Sequence, residues 1–208
     1  NPFALTLRDS SENFKKFTNE NLEWDKFIKQ INSESFIRDI IHLFKIKNVY
    51  FSEKSFKRFF PKIFKHVKLE LTFNKSKKGS YNKPHTDVTR KIVSLIFFLT
   101  PDDWSESNGG IVKLYKPKNI EDENNWRNKI LDEEKLITID TIIPKPNRIY
   151  GFKKTKNSYH SVTTVNCDDT KSRNVFMINL SYSKEKDIPH TDFSIWKKAI
   201  NKFVKFFK

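Results

Sequence analysis

Apolar positions in the first third of the chain recur at helical spacing. Phe14, Phe17, Leu22, Phe27, Ile28, Ile31, Phe36, Ile40 and Ile41 mostly fall three to five residues apart, which predicts helices turning one face to a core. Ser33 or Ser35 can open a new helix in this region, and Ser52 is placed to cap another before Phe56, Phe59 and Phe60. Beyond residue 66 the period changes. Residues 67–73 alternate apolar and polar, as a half-buried strand does. Residues 92–99 form an apolar run with one serine, which fits a strand covered on both faces. Asn108-Gly109-Gly110 is a turn signal ahead of a strand over 111–115. More short strands are predicted over 136–143, 148–152, 162–165 and 174–182, with Pro144 and Pro146 separating the first two. Residues 119–134 read as a polar, acidic excursion with a short helix around Trp126. The last stretch, 193–208, is amphipathic. Trp196, Ile200, Phe203, Val204 and Phe207 share a helical face edged with lysines, which suits a helix docked on the sheet or one lying on a membrane or partner.

Helices followed by many short strands with turn signals between them predict an α+β fold with a mainly β core, a sandwich or a barrel. The length of 208 residues suits a single domain, divided into a helical part over 1–66, a β core over 67–183 and a C-terminal helix over 184–208. The 20 phenylalanines supply a core that a disordered chain would lack. The lone Cys167 rules out an internal disulfide, and no apolar run approaches the roughly 18 residues a membrane helix needs. The N-terminal residues do not read as a signal peptide. These features lead us to expect a soluble, cytoplasmic protein.

Charge changes the picture in one region. Residues 45–90 carry thirteen Lys and Arg against three acidic residues, a net +10 out of a total of +15. A block of that kind attracts nucleic acid, a phosphorylated sugar or an anionic membrane, or else it is a solvated, lysine-rich surface.

The candidate chemistry centres on Pro84-His85-Thr86-Asp87. Alternate residues of a strand face one side, so His85 and Asp87 can reach the same metal ion. Two imidazoles and one carboxylate on one face of a metal leave positions open, the arrangement of non-haem Fe(II) oxygenases. On its own a His-x-Asp tripeptide is also what an Asp-capped turn looks like. His160 and Arg173 follow it in order, His160 within Ser158-Tyr159-His160-Ser161-Val162 and Arg173 thirteen residues later. A planar guanidinium there can clamp a carboxylate. His42, His66 and His190 read as surface or packed histidines, and Cys167 has no activating context.

These residues resemble the 2-oxoglutarate/Fe(II) oxygenase superfamily, most of all its prolyl 4-hydroxylase-like branch. The resemblance runs from residue 67 to 183 through 79–87, 91–100, 104–115, 148–152 and 158–162. It implies a double-stranded β-helix, the cupin-like jelly roll, with the N-terminal helices buttressing its outer face. It implies an enzyme with His85, Asp87 and His160 as iron ligands and with Arg173 on the distal carboxylate of 2-oxoglutarate. Fe(II), 2-oxoglutarate and O₂ are the implied cofactor and co-substrates, with room for ascorbate. Alternation from Arg173 places Val175, Met177 and Asn179 on the same inward face. Relatives often carry a tyrosine where Phe98 stands, so Tyr81, Thr72, Ser94 or Tyr150 is the candidate replacement donor. The carboxylate of Asp87 points to hydroxylation over halogenation.

A peptide or protein is the expected partner, acidic where Lys75, Lys77 and Lys78 would meet it. A nucleic-acid oxygenase is the second reading, weakened because the stretch from Arg173 to Asn179 lacks the second arginine of the alkylation-repair pattern. A small-molecule or sugar hydroxylase and a non-catalytic binding jelly roll complete the alternatives.

Overall fold

The computed structural model describes residues 4–119 and 130–184. The helix expected around Trp126, the C-terminal helix over 184–208 and His190 therefore lie outside the described residues.

Three helices occupy the first third: α1 (Glu12–Glu20), α2 (Leu22–Ile31) and α3 (Glu34–Leu43). Ser11 caps α1 by accepting from the Phe14 amide, and Ser33 caps α3 by accepting from Phe36. Each cap satisfies an amide that the helix leaves without a partner. Ser52 is not the cap of the turn that follows. Ser55 is, accepting from Lys57 at the start of a short 3₁₀ helix, Phe56–Phe59. The first 66 residues also contain two strands that the periodicity does not predict, β1 (Ala4–Arg8) and β2 (Val49–Tyr50).

Eight more strands follow: β3 (Lys65–Ser76), β4 (Asn82–His85), β5 (Lys91–Phe98), β6 (Val112–Pro117), β7 (Leu136–Ile142), β8 (Ile149–Lys153), β9 (Tyr159–Val162) and β10 (Arg173–Tyr182). They form two sheets. The larger runs β1-β3-β10-β5-β8, with β2 joined parallel to β3, and the smaller runs β4-β9-β6-β7. All other pairings are antiparallel. This is the jelly-roll architecture expected from the sequence. The strand expected over 162–165 lies earlier, at Tyr159–Val162, so His160 sits within a strand and not in the turn before one.

The register of the larger sheet divides inside from outside. Phe176 on β10 pairs with Phe73 on β3 and Phe97 on β5, so the three rings share one face. Trp24 and Phe27 of α2 pack edge-on against them, Trp24 at 4.7 Å from Phe73 and Phe27 at 5.9 Å from Phe97. Burying such rings is worth about 2 kcal/mol each, which anchors the helices as a rigid backing. The opposite face carries Arg173, Val175, Met177 and Asn179 of β10, paired with Ser76, Asn74, Thr72 and Glu70 on β3. Ser94, Ile96 and Phe98 of β5 join that face, as do Tyr150 and Phe152 of β8. That inner face sets Arg173, Asn179 and Ser94 among apolar side chains.

Candidate functional site

A cavity of about 420 Å³ opens between the two sheets, lined by residues of both. His85 ends β4 and His160 lies opposite it on β9, paired in register with ring centroids 4.4 Å apart. Asp87 falls two residues past the end of β4 and not in the strand itself. One ligand atom from each of His85, Asp87 and His160 lies within 4.8 Å of the others. Donors about 2 Å from one ion sit roughly 3 Å apart, so a modest contraction brings all three onto a single metal.

The histidines are prepared for that role. His85 Nδ1 lies 2.8 Å from the Lys83 carbonyl and His160 Nδ1 lies 3.1 Å from the Ser158 carbonyl. A carbonyl only accepts, so each Nδ1 is placed to donate to it, which leaves each Nε2 as the nitrogen available to a metal. Burial lowers the His160 pKa to about 4, against the pull of the Asp87 charge, so the ring is unprotonated at neutral pH. Phe152 packs against it with centroids 4.8 Å apart.

Asp87 is held from several sides. Burial is the largest influence and opposes its charge, but Lys91 Nζ, 2.9 Å from Oδ1, together with His160 and His85 keeps the carboxyl below its usual range. Ser94 Oγ donates toward Oδ2 at 3.1 Å and toward Asn179 Oδ1 at 2.8 Å, sharing one proton between them. The buried Lys154 donates from Nζ to the Asp87 backbone carbonyl. Burial brings Lys154 down to about 8.

Arg173 sits on the cavity wall, only 5% exposed. Its Nε donates to the Gly110 carbonyl at 2.8 Å and its guanidinium lies 5.3 Å from the centroid of Phe98. Burial lowers its pKa to about 10, which still leaves it charged at neutral pH. Among the described residues no carboxylate pairs with it. A buried cation without a counter-ion is costly, and an anion entering the cavity would relieve that cost. The residues therefore fit a co-substrate carboxylate as well as a metal.

The candidate replacement donors separate on inspection. Tyr150 lines the cavity and stacks on Phe98 at 6.0 Å. Burial pushes its hydroxyl well above the ordinary tyrosine range despite the opposing Arg173 charge, so it remains a proton donor. Ser94 and Asn179 line the cavity too, but their hydrogen bonds run to Asp87 and to each other. Tyr81 is exposed at the rim. Thr72 pairs with Met177 further along β3 and is not among the lining residues. Val175 and Met177 line the wall as alternation from Arg173 predicts.

Sequence reasoning missed Lys91, Lys154 and Gly110. Lys91 follows Asp87 by four residues, a weak signal at best. Lys154 is one lysine in a basic run, and only its burial and the bond from its Nζ to the Asp87 carbonyl single it out. Gly110 was legible as a turn. Its φ is +68°, and a Cβ there would come within 2.5 Å of Arg173 Cδ. Gly110→Ala should push the guanidinium off its position and weaken 2-oxoglutarate binding about tenfold, since small displacements of positioning groups have effects of that size or larger. Competition by 2-oxoglutarate against a fluorescent analogue would read the change, and unaltered binding would contradict it.

A family model described as the 2OG-Fe(II) oxygenase superfamily matches residues 71–181. No curated protein matches the chain. Among solved structures it is similar to a prolyl 4-hydroxylase structure from Phytophthora capsici, at 14% identity and a TM-score of 0.52, covering 95% of this chain and 57% of that one. A Pseudomonas putida prolyl-4-hydroxylase is matched at 11% identity and a TM-score of 0.46, over 86% of this chain and 68% of that one. A Burkholderia pseudomallei oxidoreductase of the 2OG-Fe(II) oxygenase family is matched at 14% identity and a TM-score of 0.36, over 71% of this chain and 57% of that one. The chain thus spans a little over half the length of the Phytophthora protein, and that likeness supports the jelly-roll fold.

Proposed function

Because the chain belongs to the 2OG-Fe(II) oxygenase superfamily, we propose that it is a dioxygenase that hydroxylates a C–H bond of a peptide or protein, in the manner of a prolyl 4-hydroxylase. His85, Asp87 and His160 would hold Fe(II), and Arg173 would take the distal carboxylate of 2-oxoglutarate. The observation that carries this reading is a buried guanidinium without a carboxylate partner among the described residues, on the wall of the cavity that holds the His-Asp-His cluster. Bound iron, with 2-oxoglutarate and O₂, supplies the oxidising power for hydroxylation and leaves succinate and CO₂ as co-products.

The protein's own groups do the positioning. Lys91, Ser94 and Lys154 hold Asp87 in a charged, fixed orientation. Tyr150 stays protonated beside Arg173 and supplies the donor that Phe98 lacks. Ile96, Val112, Val175 and Met177 give the cavity apolar walls that limit water around the reacting groups. The Phytophthora relative is a prolyl 4-hydroxylase, which favours a proline-containing peptide as the target. Lys77 and Lys78 stand in the segment between Ser76 and Ser80, both of which line the cavity, and favour an acidic one.

The test is to incubate the protein with Fe(II), 2-oxoglutarate and acidic proline-containing peptides, and to follow succinate release and peptide mass. Gain of one oxygen on proline is the expected result. Succinate release with the oxygen appearing instead on an oligonucleotide or a sugar would overturn the substrate reading. Neither iron binding nor succinate release would overturn the enzyme reading.

A further inference from the structure

Residues 54–63, none of which lines this cavity, present a surface that an ordinary soluble face does not have. Phe56 is 72% exposed and Phe59 62% exposed, with Phe60 and Ile63 also exposed beside them. The rings cluster, with Phe56 5.2 Å from Phe60 and 6.0 Å from Phe59. Single exposed apolar side chains are common, but four adjoining ones mark a contact surface. Cations surround them. Residues 45–66 carry seven Lys and Arg against Glu53 alone. Arg58 lies 4.7 Å over the ring of Phe59 while donating to the Glu53 carbonyl, and Lys57 lies 5.1 Å from the Phe64 centroid.

A second cavity of about 490 Å³ borders this segment, lined by Ser55 and Lys57, the residues on either side of Phe56. Arg38, His42, Lys45 and Lys47 line it too, with no carboxylate among the lining residues. Arg38 is paired with Glu34 at 3.2 Å, which leaves three lysines and a histidine facing the space. Such a cavity suits a phosphate group.

We infer that residues 54–63 and the adjoining basic cavity dock the protein peripherally on an anionic lipid surface. Phe56, Phe59, Phe60 and Ile63 enter the headgroup–acyl boundary, and Lys54, Lys57, Arg58 and Lys62 meet headgroup phosphates. Charge complementarity selects this occupant. Single-stranded nucleic acid would need free ring faces for base stacking. Arg58 already covers one face of Phe59, and Ile63 offers no stacking surface.

Flotation of the full chain with vesicles tests the inference. Vesicles of phosphatidylcholine alone are compared with vesicles that also contain phosphatidylserine, using Phe56→Ser/Phe59→Ser/Phe60→Ser and Lys57→Glu/Arg58→Glu alongside the native chain. All five positions are exposed, so circular dichroism should show both variants folded. The native chain should bind anionic vesicles and not neutral ones, and added salt should weaken binding. Each variant should lose at least about tenfold in partitioning, as expected from removing buried apolar area or reversing charges at the surface. Equal binding to both vesicle types, or variants that bind like the native chain, would overturn it. So would loss of oligonucleotide binding in the variants of a chain that binds no vesicles.

Discussion

Asp87→Ala will abolish iron-dependent succinate release while leaving the chain folded. The loss combines two effects. The carboxylate is the only anionic donor among the three groups gathered within 4.8 Å, so its removal takes away the charge that binds a dication and one of its ligands. Lys91 also loses its carboxylate acceptor, while the Ser94 hydroxyl keeps Asn179 Oδ1. Leaving the partly buried Lys91 unpaired costs about 1–3 kcal/mol, enough to lower the melting temperature but not to unfold a domain of this size. Metal affinity should fall by more than about two orders of magnitude, since even loss of a group that only supports a ligand costs 10- to 100-fold. Isothermal titration with Fe(II) under anaerobic conditions, or with Mn(II) as a stand-in, reads this directly. Asp87→Asn keeps the shape but not the charge, so it should behave as Asp87→Ala does for metal, and its single oxygen cannot serve both Lys91 and Ser94, so it should also lose part of the stability. Native-like metal affinity in both variants would refute the ligand assignment.

Arg173→Met should separate co-substrate binding from folding, with opposite signs. In the absence of ligand, the variant should be as stable as the native chain or more so. It replaces a buried cation that has no carboxylate partner among the described residues with an apolar side chain of similar length. In the presence of 2-oxoglutarate the sign reverses. Losing a desolvated guanidinium–carboxylate pair costs about 3 kcal/mol, roughly a hundredfold in apparent affinity. The native protein should therefore gain thermal stability with added 2-oxoglutarate far more than the variant does. Tyr150→Phe should show a smaller loss of the same kind, about tenfold, through one missing hydrogen bond. A pair of melting curves, with and without ligand, checks both. Native-like stabilisation of Arg173→Met by 2-oxoglutarate would show that the carboxylate binds elsewhere.

The elements differ in how plainly the sequence announces them, and the reasons are physical. The helices of the first third are legible because Phe14, Phe17, Phe27, Ile31, Ile37 and Ile40 repeat the helical period, and local caps at Ser11 and Ser33 confirm their starts. Strands β5 and β10 are legible because both faces are covered and the apolar run is long. Strand β1 is not. It is five residues long and is held by cross-strand bonds to β3, more than sixty residues away, which no local pattern records. Strand β4 is short and polar, and its position depends on β9. The cap at Ser55 was misplaced to Ser52 because both are serines ahead of the same aromatic run, and only backbone conformation distinguishes them.

The metal cluster divides in the same way. By itself the sequence determined the chemistry on offer: a His-x-Asp pair, a later histidine and an arginine beyond it, in an order that resembles one oxygenase superfamily. It also determined which face of β10 each side chain takes, because strand alternation is local. Only the tertiary structure decided that Lys91, Ser94 and Lys154 converge on Asp87, that Tyr150 stands beside Arg173, and that Gly110 clears the space the guanidinium occupies. Those contacts join residues four to sixty-seven positions apart, and the longer ones depend on which strands pair and in what register. Register is set by packing across the whole sheet, so spacing along the chain cannot reveal it.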